Sequence, residues 1–491
     1  IYTNVFATVG VCAPSRSSLI TGMYPISIGT MHMRTASDIA GWGNRAYDQS
    51  SMARDINGDM VPQYAVVTPP EVKCFPEYLR ASGYYTSNNQ KTDYQFAAPV
   101  SAWDANGPEA HWRNKAKGQP FFAVFNLNVT HESKIWLNAD KPLTVDPETV
   151  PVPPYFPKTA TVKNDLARNY SNIELLDKQV ADLLKQLEDD GLMENTVIFF
   201  FSDHGGPLPR GKREHYDPGL KVPLLVRVPK SKSTGKEDKL ISFVDFAPTV
   251  LSLTGINIPE HLQGNAFLGK AQAEVENEYI FGTSDRFDEF VDRTRVIRDK
   301  QYLYVRNYYP NLPRYKDVAY RKNIPMMREL LRMNQSGELS DMQAQWFASS
   351  KPSEELYDVN ADPFNMNNIA NDPAYTDKVM EMKGVLENFL TAVGDKGREP
   401  ELDFYYENWP NGVQPKTADP ILVDMGSKIV ASTTTDGASL VYIVSDTDIE
   451  PTLDSGWQLY LEPLKLKKKQ YAYFMATRIG YADSEVVKIA Q

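Results

Sequence analysis

Apolar residues recur along this chain at two spacings, one typical of helices and one typical of strands. The segment 164–191 predicts an amphipathic helix that ends at Gly191. Its apolar positions lie three or four residues apart, at Ile173, Leu176, Val180, Leu183, Leu184 and Leu187. The continuous apolar run from Val197 to Phe201 follows directly and predicts a central strand of a parallel sheet, buried on both faces.

Two further segments repeat this arrangement. The apolar run within 119–133 predicts a second buried strand, which leads to His131. The segment 245–255 predicts a helix with Pro248 in its first turn and Gly255 at its end. Helices that alternate with apolar strands predict an α/β sandwich. In such sheets functional residues gather at the carboxyl ends of the strands.

The sequence pattern changes after about residue 310, where charged helical segments replace the alternation of helices and apolar strands. From residue 421 onward, short alternating strands are separated by Asp, Pro and Gly turns. We therefore expect four regions. These are a large α/β domain over 1–310, a smaller α+β subdomain over 311–398, a linker over 399–420 and a small β-sandwich over 421–491.

Composition narrows the possible functions. The 491 residues are 42% hydrophobic and 23% charged, which is typical of a soluble globular protein, and no apolar run is long enough to cross a bilayer. The net charge of −11 argues against a nucleic-acid partner but leaves an anionic substrate possible. Two cysteines, Cys12 and Cys74, do not make a disulfide framework.

The surroundings of Cys12 are unusual for a lone cysteine. The stretch VCAPSRSSLITG predicts a short helix, because Pro14 lies near its start and Gly22 directly after its end. A helix amino terminus favours an anion, and Arg16 adds a positive charge one turn further on. The alternative is a buried structural cysteine.

The string Cys12-Ala-Pro-Ser-Arg16, followed by Leu19, Thr21 and Gly22, resembles the signature of the type I sulfatases. Later segments match the family in the same order: the region with Asp203, His204, Lys212, Gly219, Val222 and Pro223, then FVDFAPTVLSLTGINIPEHLQG, then ELYDVNADPFNMNNIA. The resemblance covers the chain to about Lys396. It implies an alkaline-phosphatase-like sandwich with a large mixed, mostly parallel sheet, a C-terminal α+β subdomain and the appended β-sandwich.

The resemblance also implies a cofactor and a covalent modification. In the family the cysteine is oxidised to formylglycine by a formylglycine-generating or anaerobic sulfatase-maturing enzyme, and the hydrated aldehyde is the nucleophile. A calcium ion is expected at residue 12, Asp203 and His204. The family's other two ligands are an Asp pair at the end of the first strand, upstream of the cysteine. Nothing precedes Ile1 here, so either that strand is missing from the sequence or the metal site is defective, and we expect the former.

Roles for single residues follow from the same resemblance. Arg16 would brace the modified residue, Lys91 and Lys212 would hold the sulfate, and His131 would protonate the departing alcohol. Asp93 stands where the family has a histidine, and it either takes a substrate-binding role or forms a turn.

Two other residues are weaker candidates for substrate binding. His215 has no firm counterpart in the family, and it either lines the sugar pocket or caps a turn. Arg286 faces the rest of an anionic substrate or belongs to an ion pair, and an ion pair is the commoner role for such a residue.

The expected function is hydrolysis of sulfate esters in a sulfated polysaccharide or oligosaccharide, by a secreted or periplasmic enzyme. Within the superfamily the alternatives are a phosphatase or phosphonate monoester hydrolase and an N-sulfamidase. A different kind of alternative is a decayed, non-catalytic glycan-binding protein.

Overall fold

A computed structural model describes residues 1–33, 53–231, 234–426 and 428–491. The chain forms two compact units. Unit 1 consists of Ile1–Ser15, Leu127–Phe243 and Val275–Gly394, and unit 2 consists of Arg16–Asn126, Val244–Glu274 and Asp395–Gln491. Each unit draws on three separate stretches, so no single cut of the sequence separates them.

The described residues form the following strands and helices. The strands are β1 (Tyr2–Phe6), β2 (Tyr85–Asn89), β3 (Ala105–Asn106), β4 (Phe121–Phe125), β5 (Ile198–Phe201), β6 (Lys221–Arg227), β7 (Glu237–Ser242), β8 (Ile280–Ser284), β9 (Thr294–Arg298), β10 (Tyr302–Asn307), β11 (Glu354–Asp358), β12 (Ile421–Asp424), β13 (Ile429–Ser432), β14 (Ser439–Ser445), β15 (Gln458–Leu459), β16 (Tyr471–Thr477) and β17 (Val487–Ala490). The helices are α1 (Cys12–Thr21), α2 (Pro25–Ile28), α3 (Pro76–Ala81), α4 (Ser133–Leu137), α5 (Ala160–Asp189), α6 (Asp217–Leu220), α7 (Phe246–Thr254), α8 (Pro325–Ser336), α9 (Asp341–Ala344), α10 (Thr376–Val393) and α11 (Glu401–Asn408).

Unit 1 contains two four-stranded sheets. The first has the order β5-β6-β1-β7, in which β1 pairs with β7 in parallel and with β6 antiparallel. The second is antiparallel, in the order β11-β10-β9-β8. Because β10 pairs with β11 between Tyr302 and Asp358, this sheet crosses the boundary that the sequence predicts at residue 310.

Unit 2 contains a parallel sheet and two antiparallel ones. The parallel sheet has the order β3-β2-β4. From residue 421 onward the chain forms the pair β12-β13 and the sheet β15-β14-β16-β17. Phe474 and Ile429 belong to one apolar cluster of these strands, while Tyr473 and Trp457 belong to another. The strands β14 and β16 therefore bury residues on both of their faces.

Three predictions from the apolar pattern need correction. The strand at 198–201 is β5, which among the described residues pairs only with β6 and is half-buried, so it is not central. In α5 the buried positions lie mainly in the first half, where Val162 and Leu166 belong to one apolar cluster with Met327 of α8. Ile173, on the predicted apolar face, is 43% exposed.

The third correction concerns the segment 399–420, which is not a linker over its whole length. It contains α11, whose Phe404 and Tyr405 pack with Val61, Tyr64 and Val66 in unit 2. Phe404 and Tyr405 are therefore buried anchors within this polar, Pro-containing stretch. None of the helices in the described ranges has the length and apolar character needed to cross a membrane.

Candidate active site

Cys12 is the first residue of helix α1, as the sequence predicts. The preceding strand β1 ends at Phe6, and a short connection carries the chain into the helix. Gly22 ends the helix with a φ of +68°, a left-handed conformation that glycine adopts without strain. Cys12 is fully buried, and its position at a helix amino terminus favours negative charge on residue 12 or on its ligand.

Cys12, Asp203 and His204 come together in unit 1. The Sγ of Cys12 lies 3.3 Å from Nε2 of His204, and His204 Nε2 lies 3.6 Å from Oδ1 of Asp203. One donor atom from each of the three residues lies within 4.8 Å of the others. Ser15 holds this arrangement from the next turn of α1, because its hydroxyl donates to the Asp203 carbonyl oxygen at 2.6 Å.

The hydrogen bonds of His204 fix which ring nitrogen carries the proton. Its Nδ1 lies 2.9 Å from the carbonyl oxygen of Gly205, which can only accept, so Nδ1–H is the donor. In the neutral ring, Nε2 therefore presents a lone pair towards residue 12. A lone pair held in this way is suited to a metal ion or to a hydroxyl proton on residue 12.

The three residues suit a calcium ion only in part. Calcium takes roughly six to eight oxygen ligands, whereas this set combines a carboxylate, an imidazole and a sulfur. Conversion of Cys12 to formylglycine would replace the sulfur by oxygen. Even then Asp203 supplies the only carboxylate of the set, so further oxygen ligands would be required.

A second group in unit 1 surrounds Lys212. Its Nζ lies 3.2 Å from Nε2 of His131 and 2.9 Å from Oε1 of Glu132. The other carboxylate oxygen of Glu132 accepts a hydrogen bond from Arg213 at 2.9 Å, and Arg213 also pairs with Asp288 at 3.1 Å. Glu132 is thus held between two cations, and it fixes the Lys212 ammonium beside His131.

The charges of this group reinforce one another. Burial alone would raise the pKa of Glu132, but Arg213 and Lys212 lower it below its ordinary value, so Glu132 is ionised. Burial alone would lower the pKa of Lys212, yet the negative charges of Cys12 and Glu132 raise it. Lys212 is therefore an ammonium, and its Nζ faces Nε2 of His131. Nδ1 of His131 lies 2.8 Å from the Ser133 hydroxyl and accepts a hydrogen bond from the Ser133 backbone N–H at 3.2 Å.

Gly10 ties the Cys12 turn to the Lys212 segment. Its carbonyl oxygen accepts a hydrogen bond from the Arg213 backbone N–H at 2.6 Å. A Cβ at Gly10 would lie 2.1 Å from the carbonyl oxygen of Glu214, closer than such atoms can approach. Glycine is required here because the two backbones pass so near to each other.

Arg16, Lys91 and Asp93 form a separate group in unit 2. Arg16 donates to the carbonyl oxygens of Lys91 and Thr92 at 2.6 and 2.7 Å and to Oδ1 of Asn126 at 2.7 Å. Lys91 and Asp93 are both buried, with Nζ and Oδ2 3.4 Å apart. Arg16 therefore orders the segment that carries Lys91, and Asp93 pairs with this lysine.

The two weaker candidates, His215 and Arg286, differ in their surroundings. Within the described ranges neither ring nitrogen of His215 has a hydrogen-bond partner, although the residue is buried, so no turn-capping bond is seen there. Arg286 is also buried, and it donates to the carbonyl oxygen of Asp288, two residues along the chain. This bond holds the guanidinium locally, and a substrate-binding role for Arg286 stays a prediction.

Sequence reasoning missed Glu132, Gly10, Ser15 and Asn126. The missed residues act on other candidates and not on the reacting group. Glu132 directly follows His131. An acidic residue next to a candidate general acid could have indicated its role from the sequence. The role of Gly10 rests on a close approach to a segment about 200 residues later, and no local pattern reports it.

Comparison with known proteins shows which family models and which relatives match this chain. The family model described as Sulfatase matches residues 1–256, and one described as N-sulphoglucosamine sulphohydrolase, C-terminal, matches residues 210–347. An ulvan-active sulfatase of Formosa agariphila is 42% identical over 100% of this chain and 85% of its own length. Human N-sulphoglucosamine sulphohydrolase is 28% identical over 49% of this chain and 50% of its own.

Solved structures agree on the fold. A 2-O GAG sulfatase aligns with a TM-score of 0.55 at 18% identity, over 82% of this chain and 86% of that one. A protein solved in complex with its substrate D-glucosamine-2-N,6-O-disulfate aligns with a TM-score of 0.51 at 15% identity, over 81% and 92% of the two chains. The predicted α/β fold with further antiparallel sheets towards the C terminus is confirmed.

The family model and the Formosa relative together identify the class of enzyme. This chain belongs to the sulfatase family. The resemblance that the CAPSR segment indicates is thereby confirmed, and the protein is an enzyme of the sulfuric ester hydrolase class.

Proposed function

We propose that this enzyme hydrolyses sulfate esters of a carbohydrate through a formylglycine made from Cys12. The observation that carries the proposal is the buried 3.3 Å contact between Sγ of Cys12 and Nε2 of His204, next to Asp203. Formylglycine, made by a formylglycine-generating or anaerobic sulfatase-maturing enzyme, would supply one hydrate hydroxyl that attacks sulfur and a second whose collapse releases sulfate. Calcium at Asp203, His204 and residue 12 would supply Lewis acidity.

Lys212 and His131 are proposed to deliver the proton that the leaving alcohol needs. The ammonium of Lys212 lies 3.2 Å from Nε2 of His131. As the sulfur–oxygen bond breaks, negative charge builds on the sugar oxygen. The Lys212 ammonium, or the His131 ring beside it, can give a proton to that oxygen. Ser133 keeps the imidazole oriented through Nδ1.

The cations of the site are proposed to bind the sulfate group. Lys212 is buried and held by Glu132, so it offers a fixed positive charge to an oxygen of the sulfate. Lys91 is proposed as a sulfate contact on the family pattern alone. Arg16 would act on it by ordering its segment through the hydrogen bonds to Lys91 and Thr92. Asp93 would hold the Lys91 ammonium in place.

We further propose that the substrate is a sulfated polysaccharide or its fragments, with ulvan the first to be tested. The support is the full-length similarity to an ulvan-active sulfatase. A polymer of this kind is met outside the cytoplasm, so the proposal includes a secreted or periplasmic location.

A second candidate is cleavage of N-linked sulfate. It is favoured by the match of residues 210–347 to the C-terminal part of N-sulphoglucosamine sulphohydrolases. A nitrogen leaving group needs a proton as an alkoxide does, so the Lys212–His131 pair suits both reactions.

The test is sulfate release from three substrates by protein in which residue 12 has been converted. The substrates are ulvan oligosaccharides, an aryl sulfate and glucosamine N-sulfate. Release from the oligosaccharides and the aryl ester supports the O-sulfatase proposal. Release from glucosamine N-sulfate alone would support the second candidate instead, and release from none would contradict both.

A further inference from the structure

Arg210 is a buried arginine without an acidic partner in the described part of the chain. The residue is 4% exposed, and its Nε has no hydrogen-bond partner. Its guanidinium lies over two aromatic rings instead, 4.9 Å from the centre of the Tyr155 ring and 5.8 Å from that of Tyr216. Burying a guanidinium without an acceptor is costly, because the charge loses water and gains no anion in exchange.

His215 provides an independent sign of an incomplete site. It is buried, and its ring centre is 4.3 Å from that of Tyr216. Both of its ring nitrogens lack partners among the residues that the structure describes. Burial lowers the pKa of His215 well below its ordinary value, and the positive charges of Lys316, Lys351, Arg314 and Arg210 lower it further. His215 is therefore a neutral imidazole whose one N–H has no acceptor among the described residues.

The charges around His215 leave a positive surplus. Lys351 and Lys316 share the single carboxylate of Asp292, at 2.6 and 3.6 Å. Arg314 is matched by Glu355 at 3.1 Å. Glu214, whose charge also acts on Lys316, is paired with Arg321 at 3.5 Å. The positive charges in this part of the described structure, with that of Arg210, therefore outnumber the carboxylates. A buried surplus of this kind is neutralised when an anion binds.

Position along the chain connects these groups with the reaction. Arg210 lies two residues before Lys212, and His215 lies three residues after it. The planar guanidinium group of an arginine can bind a carboxylate or a sulfate through two parallel hydrogen bonds.

We propose that Arg210, assisted by His215, binds a second anionic group of the saccharide substrate, a carboxylate or a further sulfate ester, while the scissile sulfate lies at Lys212. This inference rests on the proposed function and narrows it to polyanionic saccharides. The bound anion would accept from Arg210 and from the N–H of His215, and it would balance the surplus charge.

The test compares Arg210→Gln with the unchanged enzyme on three substrates, using kcat/KM for sulfate release. The substrates are a disaccharide with one sulfate ester and no other charge, one with a sulfate ester and a uronate carboxylate, and one with two sulfate esters. A charged hydrogen bond at such a site is worth on the order of tenfold to a hundredfold in kcat/KM. We expect the unchanged enzyme to prefer at least one of the dianionic substrates by this factor. Arg210→Gln should abolish that preference, and Arg210→Lys should keep part of it.

The matched control is Arg332→Ala, which removes an exposed arginine paired with Glu338 and should leave the preference as it is. Because the preference is a ratio measured within one preparation, a partly unfolded variant does not distort it. The substrate whose preference is lost identifies the anion as carboxylate or sulfate. A preference that survives Arg210→Gln, or that the unchanged enzyme never shows, overturns the Arg210 site while leaving the sulfatase proposal intact. Turnover of none of the three substrates would contradict the proposed function itself.

Discussion

The ammonium of Lys212 lies 3.2 Å from Nε2 of His131, and Glu132, the neighbour of that histidine, holds it there at 2.9 Å. Two residues that are 81 positions apart in sequence thereby share one hydrogen bond. In the proposed mechanism the lysine holds the proton that a leaving alkoxide needs, and the imidazole lies beside it. The same contact explains why a carboxylate is buried beside them.

The effect on kcat/KM of removing Lys212 or His131 should depend on the leaving group of the substrate. We expect Lys212→Ala to lower kcat/KM for a sugar sulfate at least about a hundredfold, the usual loss when one strong electrostatic contact is removed. We expect His131→Ala to slow sugar sulfates much more than 4-nitrophenyl sulfate, because a nitrophenolate departs without a proton. The measurement is kcat and KM for both esters.

Glu132→Gln serves as the positioning variant in the same series. It keeps the shape but loses the charge that holds Lys212, so its effect should fall between those of unchanged enzyme and Lys212→Ala. If each of the three variants lowered kcat/KM equally for both esters, Lys212, His131 and Glu132 would have only a structural role.

Replacement of Cys12 should separate a catalytic aldehyde from a catalytic thiol. Cys12→Ala should abolish turnover. Cys12→Ser offers a hydroxyl but no second one to expel sulfate, so it should permit at most one sulfation event per molecule. Rapid-quench detection of sulfated enzyme checks this expectation. Sustained turnover by Cys12→Ser would refute the proposed chemistry.

Gly10→Ala tests the close approach of the two backbones. The added Cβ would meet the Glu214 carbonyl oxygen at 2.1 Å, so the segment that carries Lys212 must move. We expect a loss of about 1–3 kcal/mol in the free energy of unfolding and a fall in kcat. The control is Gly384→Ala in α10, where a Cβ meets nothing within 4 Å. Matching behaviour of the two variants would contradict the argument.

Asp165 in α5 should make stability depend on pH. Burial raises its pKa to about 6, against a hydrogen bond from the Met326 N–H that lowers it. A carboxyl whose pKa is raised on folding binds its proton more tightly in the folded state. Stability therefore falls as the pH rises from about 4 to about 6, and the penalty is complete above that.

Asp165→Asn removes this penalty and keeps an oxygen for the Met326 N–H. We expect it to stabilise the protein by on the order of 2 kcal/mol at pH 7.5 and to have little effect at pH 4. Denaturant unfolding at both values checks this, with the exposed Asp140→Asn as control. A stabilisation that is the same at both values would show that the carboxyl does not titrate in this window.

The sequence offered candidates for the residues that carry the chemistry, but it gave little sign of the residues that position them. The helix that starts at Cys12 and ends before Gly22 was predictable because Pro, Gly and the following spacing act locally. The pairing of β5 was not, since an apolar run of phenylalanines fits a central strand and a half-buried one equally well. The roles of Glu132 and Gly10 could not be predicted, because their partners, Lys212 and Glu214, lie far along the chain.

The central claim is that residue 12 works as an aldehyde hydrate beside His204 and Asp203. The most direct test is mass analysis of the peptide containing residue 12, taken from preparations that differ in activity. We predict the mass of formylglycine at this position, in a fraction that rises in proportion to kcat. A fully active preparation whose residue 12 is an unmodified cysteine would contradict the account.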